Sequence, residues 1–295
     1  MQIGAHLEFG MIEFRTILAA TDFSAGATAA VRQSSRLAYA SGAELHIIHA
    51  PSMKGADDLR AFFPDTAAFG EKEAIETLTE RVAGRLASAD APEDAKILVR
   101  PGNPYKSILS AIDELKPDLL IMGSTGESNK RLGTVGGRCV RKAPCDVMLV
   151  PAESEGAFAY ITACIDFSEL SPAVVGAASS IAKLDGGALT AIYANEKVDD
   201  SVFVQGPPQE VLDRLPAVLE DRFDSQLRAH AGDTDVSFAM VTCKSYSDGI
   251  VRHATESKTN LVETGTTNRS GIAYMLLGTT AEKVIREVGC AVLAV

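Results

Sequence analysis

The sequence predicts an α/β protein in which a doubly wound parallel sheet occurs twice. Short apolar runs alternate with amphipathic stretches of helical periodicity, which is typical of parallel strands joined by helices. The segment ILAATDFS at residues 17–24 returns as ITACIDFS at residues 161–168, so that Asp22 and Asp166 lie 144 residues apart in the 295-residue chain. A repeat this long indicates two tandem domains rather than a solenoid, whose repeats run to about 20–50 residues.

The first copy contains five apolar runs that we predict to be strands, separated by stretches of helical periodicity. Gly42 ends the first helix. The predicted strands are residues 16–20, 44–50, 96–100, 119–122 and 146–150. The predicted helices are residues 25–41, 71–87 and 105–115, with a fourth that opens at Gly133-Thr134.

The second copy repeats this scheme after PAESEGA at residues 151–157, a short polar stretch that we interpret as a linker. Its predicted strands are residues 160–165, 189–194, 236–242, 261–264 and 291–295. Its predicted helices are residues 172–184, 208–229, 248–257 and 279–288. We therefore divide the chain into an N-terminal arm at residues 1–13, a first domain at residues 14–152 and a second domain at residues 158–295.

Composition and charge narrow the class of protein. Apolar residues make up 46% of the chain, enough for two packed cores, and the net charge of −11 argues against a nucleic-acid partner. No apolar stretch reaches the roughly 18 residues that a membrane helix needs, so no membrane partner is predicted. The N-terminus lacks the pattern of a signal peptide, and the five cysteines form no CxxC pair. These features predict a cytoplasmic protein with reduced thiols.

Each copy places small residues at the end of its fourth strand and again at the start of its last helix. Those of the first copy are Gly123, Gly126, Gly133 and Thr134, and those of the second are Gly265, Asn268, Gly278, Thr279 and Thr280. Backbone amides at a glycine-led helix start favour an anion such as phosphate. The alternative role is helix capping alone, and Thr279 and Glu282 have the spacing of a capping box.

These motifs together resemble the universal stress protein family in its tandem, two-domain form. The resemblance rests on TDFS and IDFS after the first strand of each copy, on the glycine turns and on the tail APCDVMLVP, and it covers the chain after residue 13. It implies a five-stranded parallel sheet of the adenine nucleotide α-hydrolase type in each domain, with the domains paired through their fifth strands. It also implies that adenine is contacted near Asp22 or Asp166 and that the glycine turns hold ribose and phosphates.

The family's signature, Gly-x2-Gly-x9-Gly-Ser/Thr, is altered in both copies. The first copy is three residues short between Gly126 and Gly133, which shifts the reach of the loop by up to about 10 Å. The second copy keeps the spacing but carries Asn268 in place of the second glycine. We therefore expect the nucleotide in the second copy, where the candidate site residues are Asp166, Gly265, Asn268, Gly278, Thr279 and Thr280. The first copy supplies a secondary set, which consists of Asp22, Gly123, Gly126, Gly133 and Thr134.

The resemblance implies a stress-response regulatory protein that binds ATP or AMP, with or without Mg²⁺, and at most hydrolyses ATP slowly. The sequence contains no GxSxG elbow, Walker A loop or zinc-spaced Cys/His cluster, so no catalytic residue or metal ligand is predicted. A second hypothesis is a nucleotide-free scaffold that binds an unknown protein partner. For Asp22 and Asp166 the alternative role is an Asx turn. We expect the two domains to pair within one chain, and a homodimer of chains stays an open alternative.

Overall fold

The computed structural model describes residues 13–52, 71–87, 91–124, 134–196, 209–266 and 277–295. Of the residues singled out from the sequence, Gly126, Gly133 and Asn268 lie outside these ranges, as does most of the N-terminal arm. The side chain of Thr134 is also outside the description.

Strands and helices alternate through both halves as the periodicity predicted. The first half has β1 Thr16–Thr21, α1 Ala25–Ser41, β2 Glu44–His49, α2 Glu71–Ala87, β3 Lys96–Val99, α3 Pro104–Leu115, β4 Leu119–Gly123, α4 Thr134–Lys142 and β5 Asp146–Val150. The second half has β6 Tyr160–Ile165, α5 Ser171–Asp185, β7 Ala188–Glu196, α6 Gln209–Gln226, β8 Val236–Cys243, α7 Tyr246–Glu256, β9 Leu261–Thr264, α8 Thr279–Glu287 and β10 Ala291–Ala294.

Helix α6 ends earlier than the sequence pattern predicted. It stops at Gln226, and Arg228–Ala231 form a short 3₁₀ helix. Leu227 and Ala231 are both buried in the core beneath α6. Their spacing of four residues continues the apolar stripe of the helix, so periodicity alone could not reveal the change of helix type.

The ten strands of the described ranges form one sheet in the order β3-β2-β1-β4-β5-β10-β9-β6-β7-β8. The strands of each half are parallel to one another, whereas β5 and β10 pair antiparallel with Met148 opposite Leu293. This arrangement confirms the doubly wound α/β fold and the pairing of the halves through their fifth strands. Because the junction is antiparallel, the carboxyl ends of the strands face opposite edges of the sheet in the two halves.

The sheet is covered on both faces, which explains why its strands read as nearly continuous apolar runs. One core lies beneath α1, α2, α5 and α6, and its fully buried side chains include Ile17, Ile47 and Phe223. The other core lies beneath α3, α4, α7 and α8 and includes Leu18 and Val262. Alternate residues of one strand therefore enter different cores.

Ion pairs join the halves on both faces of the junction. Arg36 of α1 pairs with Asp185 at the end of α5, whose side chain is 1% exposed. Asp185 also accepts a hydrogen bond from the Phe158 amide at 2.7 Å. On the other face Arg141 Nη2 donates to Glu282 Oε1 at 2.8 Å. Removal of one partner should destabilise the protein more at the buried Arg36–Asp185 pair, because it would leave an uncompensated buried charge.

Gly123, at the end of β4, lies against the first turn of α1. A Cβ atom at this position would lie 2.7 Å from the Ala27 nitrogen and 2.7 Å from the Gly26 carbonyl carbon. At the equivalent Gly265 the nearest atom would be the Leu170 Cβ at 3.3 Å. Neither glycine has a positive φ. The first half therefore requires glycine for the close approach of two backbones, and the second half does not.

We expect Gly123→Ala to destabilise the protein by about 1–3 kcal/mol, because the new methyl group meets backbone atoms that cannot move independently. Gly265→Ala is the matched control. Its cost should stay below about 1 kcal/mol, because a side chain can shift and alanine also lowers the entropy of the unfolded chain. Urea unfolding measures both variants, and equal costs would contradict the steric explanation.

Glu263 lies on β9, between β10 and β6, with no exposed surface. Within the described part of the chain, neither of its carboxyl oxygens has a hydrogen-bond partner. Burial raises the pKa of Glu263 well above its ordinary value of 4.5, and the neighbouring Asp146 carboxyl raises it further. Ile121 takes the equivalent place in the first half, because Ala19 pairs with Ile121 as Ala163 pairs with Glu263. The second half therefore carries a buried acid where the first carries an aliphatic side chain.

We expect Glu263 to lower the stability of the protein as the pH rises above about 4.5, because the unfolded state releases its proton there while the folded state retains it. Glu263→Ile should flatten this pH dependence and stabilise the protein by about 1–3 kcal/mol at pH 7. Glu263→Gln is the matched control, since it removes the titration but keeps a buried polar group. Thermal unfolding between pH 4 and pH 8 separates the two effects. An unchanged slope in Glu263→Gln would show that Glu263 does not cause the pH dependence.

Candidate functional site

The candidate site of each half lies where the strand order reverses. In the first half this point is between β1 and β4, and in the second it is between β6 and β9. Ligands of open α/β sheets bind in the crevice outside the carboxyl ends of strands at such a point. The register sets Ala20 beside Met122 and Cys164 beside Thr264. Asp22 directly follows β1 and Asp166 directly follows β6, so each aspartate lies at the edge of its crevice.

Both aspartates form the turn that leads from strand to helix. The Ser24 amide donates to Asp22 Oδ1 at 3.0 Å, and the Ser168 amide donates to Asp166 Oδ1 at 2.9 Å. These contacts are Asx turns, as the alternative interpretation of the sequence predicted. Both aspartates are nevertheless exposed. The turn thus fixes each carboxylate without covering it.

The pKa of Asp166 lies below its ordinary value of 3.8. Burial acts in the opposite direction, but hydrogen bonds from Ser168 and Ser171 outweigh it. The Ser171 hydroxyl donates to Asp166 Oδ1 at 3.1 Å. Asp166 is therefore ionised at neutral pH and can accept a further hydrogen bond from a ligand N–H group.

The residue after each aspartate has a backbone conformation that the sequence did not lead us to expect. Phe23 has a φ of 64° and Phe167 has a φ of 57°. Left-handed backbone is unusual for a bulky residue and costs about 1–3 kcal/mol. The repeated tripeptide Asp-Phe-Ser was the available signal, but it does not by itself indicate strain. We call residues 22–24 and 166–168 the aspartate turns.

The start of α8 differs from the predicted capping box. Gly278 is the N-cap residue and Thr279 is the first helical residue, and none of the described side chains caps the helix. Glu282 bonds to Arg141 and Arg286 instead, each at 2.8 Å. Two charged donors offer a carboxylate stronger hydrogen bonds than one neutral amide does, so the capping-box prediction was wrong. Glu282 therefore does not cap this helix start.

The last helix of each half begins at the same edge of the sheet as the corresponding aspartate turn, the edge formed by the carboxyl ends of the strands. Each helix runs back across the sheet between two parallel strands, so its N-terminus lies at their carboxyl ends. In the first half, a Cβ atom at Gly136 of α4 would lie 3.9 Å from the Gly123 carbonyl oxygen. The structure therefore brings Asp22, Gly123 and the start of α4 to one crevice. It brings Asp166, Gly265 and the start of α8, with Gly278, Thr279 and Thr280, to the other.

These groups offer two kinds of polar contact in the second half. An ionised carboxylate can accept a hydrogen bond from an amino group, and the amides at a helix start, with a favourable dipole, suit an anion. No cluster of three or more His, Cys, Asp or Glu residues arranged to hold a metal ion occurs in the described ranges. Within those ranges, no helix combines the length and apolar character needed to cross a membrane.

The model of the universal stress protein family matches residues 13–151 and again residues 158–295. A universal stress protein of Thermus aquaticus, encoded in the 3′ region of a QAH/OAS sulfhydrylase gene, is 32% identical over 147 residues. This match covers 46% of the chain and 98% of the Thermus aquaticus protein.

Solved structures that resemble this chain along 96% of its length include the following two. A universal stress protein from Archaeoglobus fulgidus DSM 4304 has a TM-score of 0.66 at 16% identity, covering 96% of this chain and 98% of its own. A protein of unknown function from Pseudomonas aeruginosa PAO1 has a TM-score of 0.62 at 17% identity, covering 96% of this chain and 92% of its own. At these identities the two structures establish the fold alone. The double family match and the shared fold together show that this chain belongs to the universal stress protein family, in its tandem two-domain form.

Proposed function

We propose that this protein is a stress-response regulator that binds one adenine nucleotide, ATP or AMP, in the crevice between β6 and β9. The observation that carries the proposal is the pairing of an exposed, ionised Asp166 with the uncapped start of α8 at one switch point. The base contacts the Asp166 turn, and the phosphates contact the amides at Gly278, Thr279 and Thr280. Mg²⁺ accompanies ATP as a counter-ion of the phosphates.

The first half is proposed as the weaker site. Its aspartate turn is equivalent, but the loop between Gly123 and α4 is three residues shorter than the family's signature. Gly123 is also accounted for by packing against α1. One glycine of the first crevice thus has a structural role that needs no ligand. We therefore assign a stoichiometry of one nucleotide per chain.

The protein is proposed to sense nucleotide rather than to turn it over rapidly. ATP hydrolysis, where it occurs, is slow, because preorganised amides stabilise phosphate charge but do not activate a water molecule. A regulatory role is consistent with the stress-response family to which the chain belongs. We place the protein in the cytoplasm, as the sequence analysis predicted.

A nucleotide-free scaffold is the second candidate function, and the outer side of α6 favours it. Val211, Leu212 and Val218 are 54%, 41% and 59% exposed. Apolar side chains grouped on one exposed helix are typical of a surface that binds another protein. Mass spectrometry of ligand released from the denatured protein distinguishes the two candidates. An absence of nucleotide, with no binding at millimolar ATP or AMP, would favour the scaffold.

We expect Thr279→Glu to weaken ATP binding by more than about tenfold, because a carboxylate at the start of α8 repels phosphate. The variant should fold, because a negative side chain in the first turn of a helix is favourable. Thr134→Glu makes the same change at the start of α4 and is the matched control. Calorimetry with ATP and AMP in Mg²⁺ measures the affinities. Unchanged binding in Thr279→Glu would rule out this helix start as the phosphate site.

We expect Asp166→Ala to weaken ATP and AMP while the affinity for inorganic tripolyphosphate stays the same, because the carboxylate contacts only the base. Asp22→Ala is the matched control in the other half and should leave the second-half site intact. Competition binding compares the three ligands. Equal losses for ATP and tripolyphosphate would argue against a role for Asp166 in base recognition.

A further inference from the structure

We propose that Arg85 and Arg222 are positioning residues, each of which stacks its guanidinium on the phenylalanine of an aspartate turn and so holds that turn in its left-handed conformation. The consequence for ligand binding rests on the proposed function. The role in the turn itself stands on geometry that occurs in both halves of the chain.

The need for such a residue follows from the backbone of Phe23 and Phe167. Both have a positive φ, and neither is a glycine. A strained conformation of this kind persists only where surrounding contacts determine it, and such outliers are concentrated at binding sites. Two other non-glycine residues, Lys116 and Lys258, also have a positive φ among the described residues. They directly follow or lie just beyond helices α3 and α7, where left-handed residues are common.

In the first half, Phe23 is held on two sides. The Arg85 Cζ lies 3.9 Å from the centroid of the Phe23 ring, and the His49 ring centroid lies 4.8 Å from it. His49 Nδ1 is 2.9 Å from the Thr21 carbonyl oxygen. The Phe23 amide donates to Thr21 Oγ1 at 3.1 Å. The end of β2, the end of β1 and helix α2 therefore converge on one ring.

The second half builds the same arrangement from different residues. The Arg222 Cζ lies 4.4 Å from the centroid of the Phe167 ring, and the Tyr193 ring lies 5.5 Å from it. Tyr193, like His49, lies on the second strand of its half. Arg222 Nε donates to Gln226 Oε1 at 3.2 Å, which holds the guanidinium in place.

The two arginines do not follow from the sequence repeat. The phenylalanines are 144 residues apart, as are His49 and Tyr193, whereas Arg85 and Arg222 are 137 residues apart. Each helix nevertheless delivers an exposed guanidinium to the same ring. Because arginine is planar and always charged, it stacks on the ring and also keeps its charge in solvent beside the turn. The same stacking geometry therefore occurs in both halves, although the two arginines do not occupy equivalent positions of the repeat.

Hydrogen exchange of the turn amides tests the role directly. The Ser168 amide is bonded to Asp166 and reports on the second turn, and the Ser24 amide reports on the first. We expect Arg222→Gln to raise exchange at Ser168 alone and Arg85→Gln to raise it at Ser24 alone. Arg222→Lys should restore part of the protection, because an ammonium group also stacks on a ring.

Nucleotide binding tests the consequence. Arg222→Gln should weaken ATP by about two- to fivefold and leave inorganic tripolyphosphate unchanged, whereas Arg85→Gln should leave both unchanged. Arg228→Gln is the matched control. Arg228 stacks on Phe223 at 5.2 Å, away from either aspartate turn, so its loss should alter neither Ser168 exchange nor affinity.

The outcomes separate the two proposals. Unchanged exchange at Ser168 in Arg222→Gln would overturn the positioning role, and so would an equal loss of affinity for ATP and tripolyphosphate. If the wild-type protein binds no nucleotide while Arg222→Gln still raises exchange at Ser168 alone, the proposed function fails and the positioning role stands.

Discussion

The antiparallel pairing of β5 with β10 is the constraint on which the rest of the molecule depends. It merges two parallel sheets into one, and it buries Met148 and Leu293 at the junction between the halves. The Arg36–Asp185 pair then fixes the halves on one face. Because the strands reverse direction across this junction, the two crevices open at opposite edges of the sheet.

The two halves differ at equivalent positions of the repeat. Gly123 touches the backbone of α1, whereas Gly265 meets only side chains. Glu263 is buried without a partner among the described residues, where the first half has Ile121. The second half thus carries a costly polar group within its sheet and an intact spacing in its glycine turns. The first half has an aliphatic side chain at the equivalent place and a shorter spacing between its glycines.

The aspartate turns are the feature in which the halves agree most closely. Each combines an exposed carboxylate, an Asx turn and a left-handed phenylalanine. The strain is maintained by an aromatic side chain from the neighbouring strand and an arginine from a helix. Such a turn presents its carboxylate in one orientation, which lowers the entropy that a ligand must remove on binding. The turn is therefore suited to recognition rather than to chain reversal alone.

The sequence by itself determined the strands, the helices, the repeat and the family, because period, turn residues and motif spacing are local properties. It also identified Asp22 and Asp166 as turn residues at the ends of strands. The tertiary structure decided which of its possible partners a side chain contacts. Glu282 bonds to Arg141 of the other half instead of capping α8. Arg85 and Arg222 stack on phenylalanines that are distant from them in the sequence. These contacts join residues that only the packing of helices on the sheet brings together, so no local pattern could have predicted them.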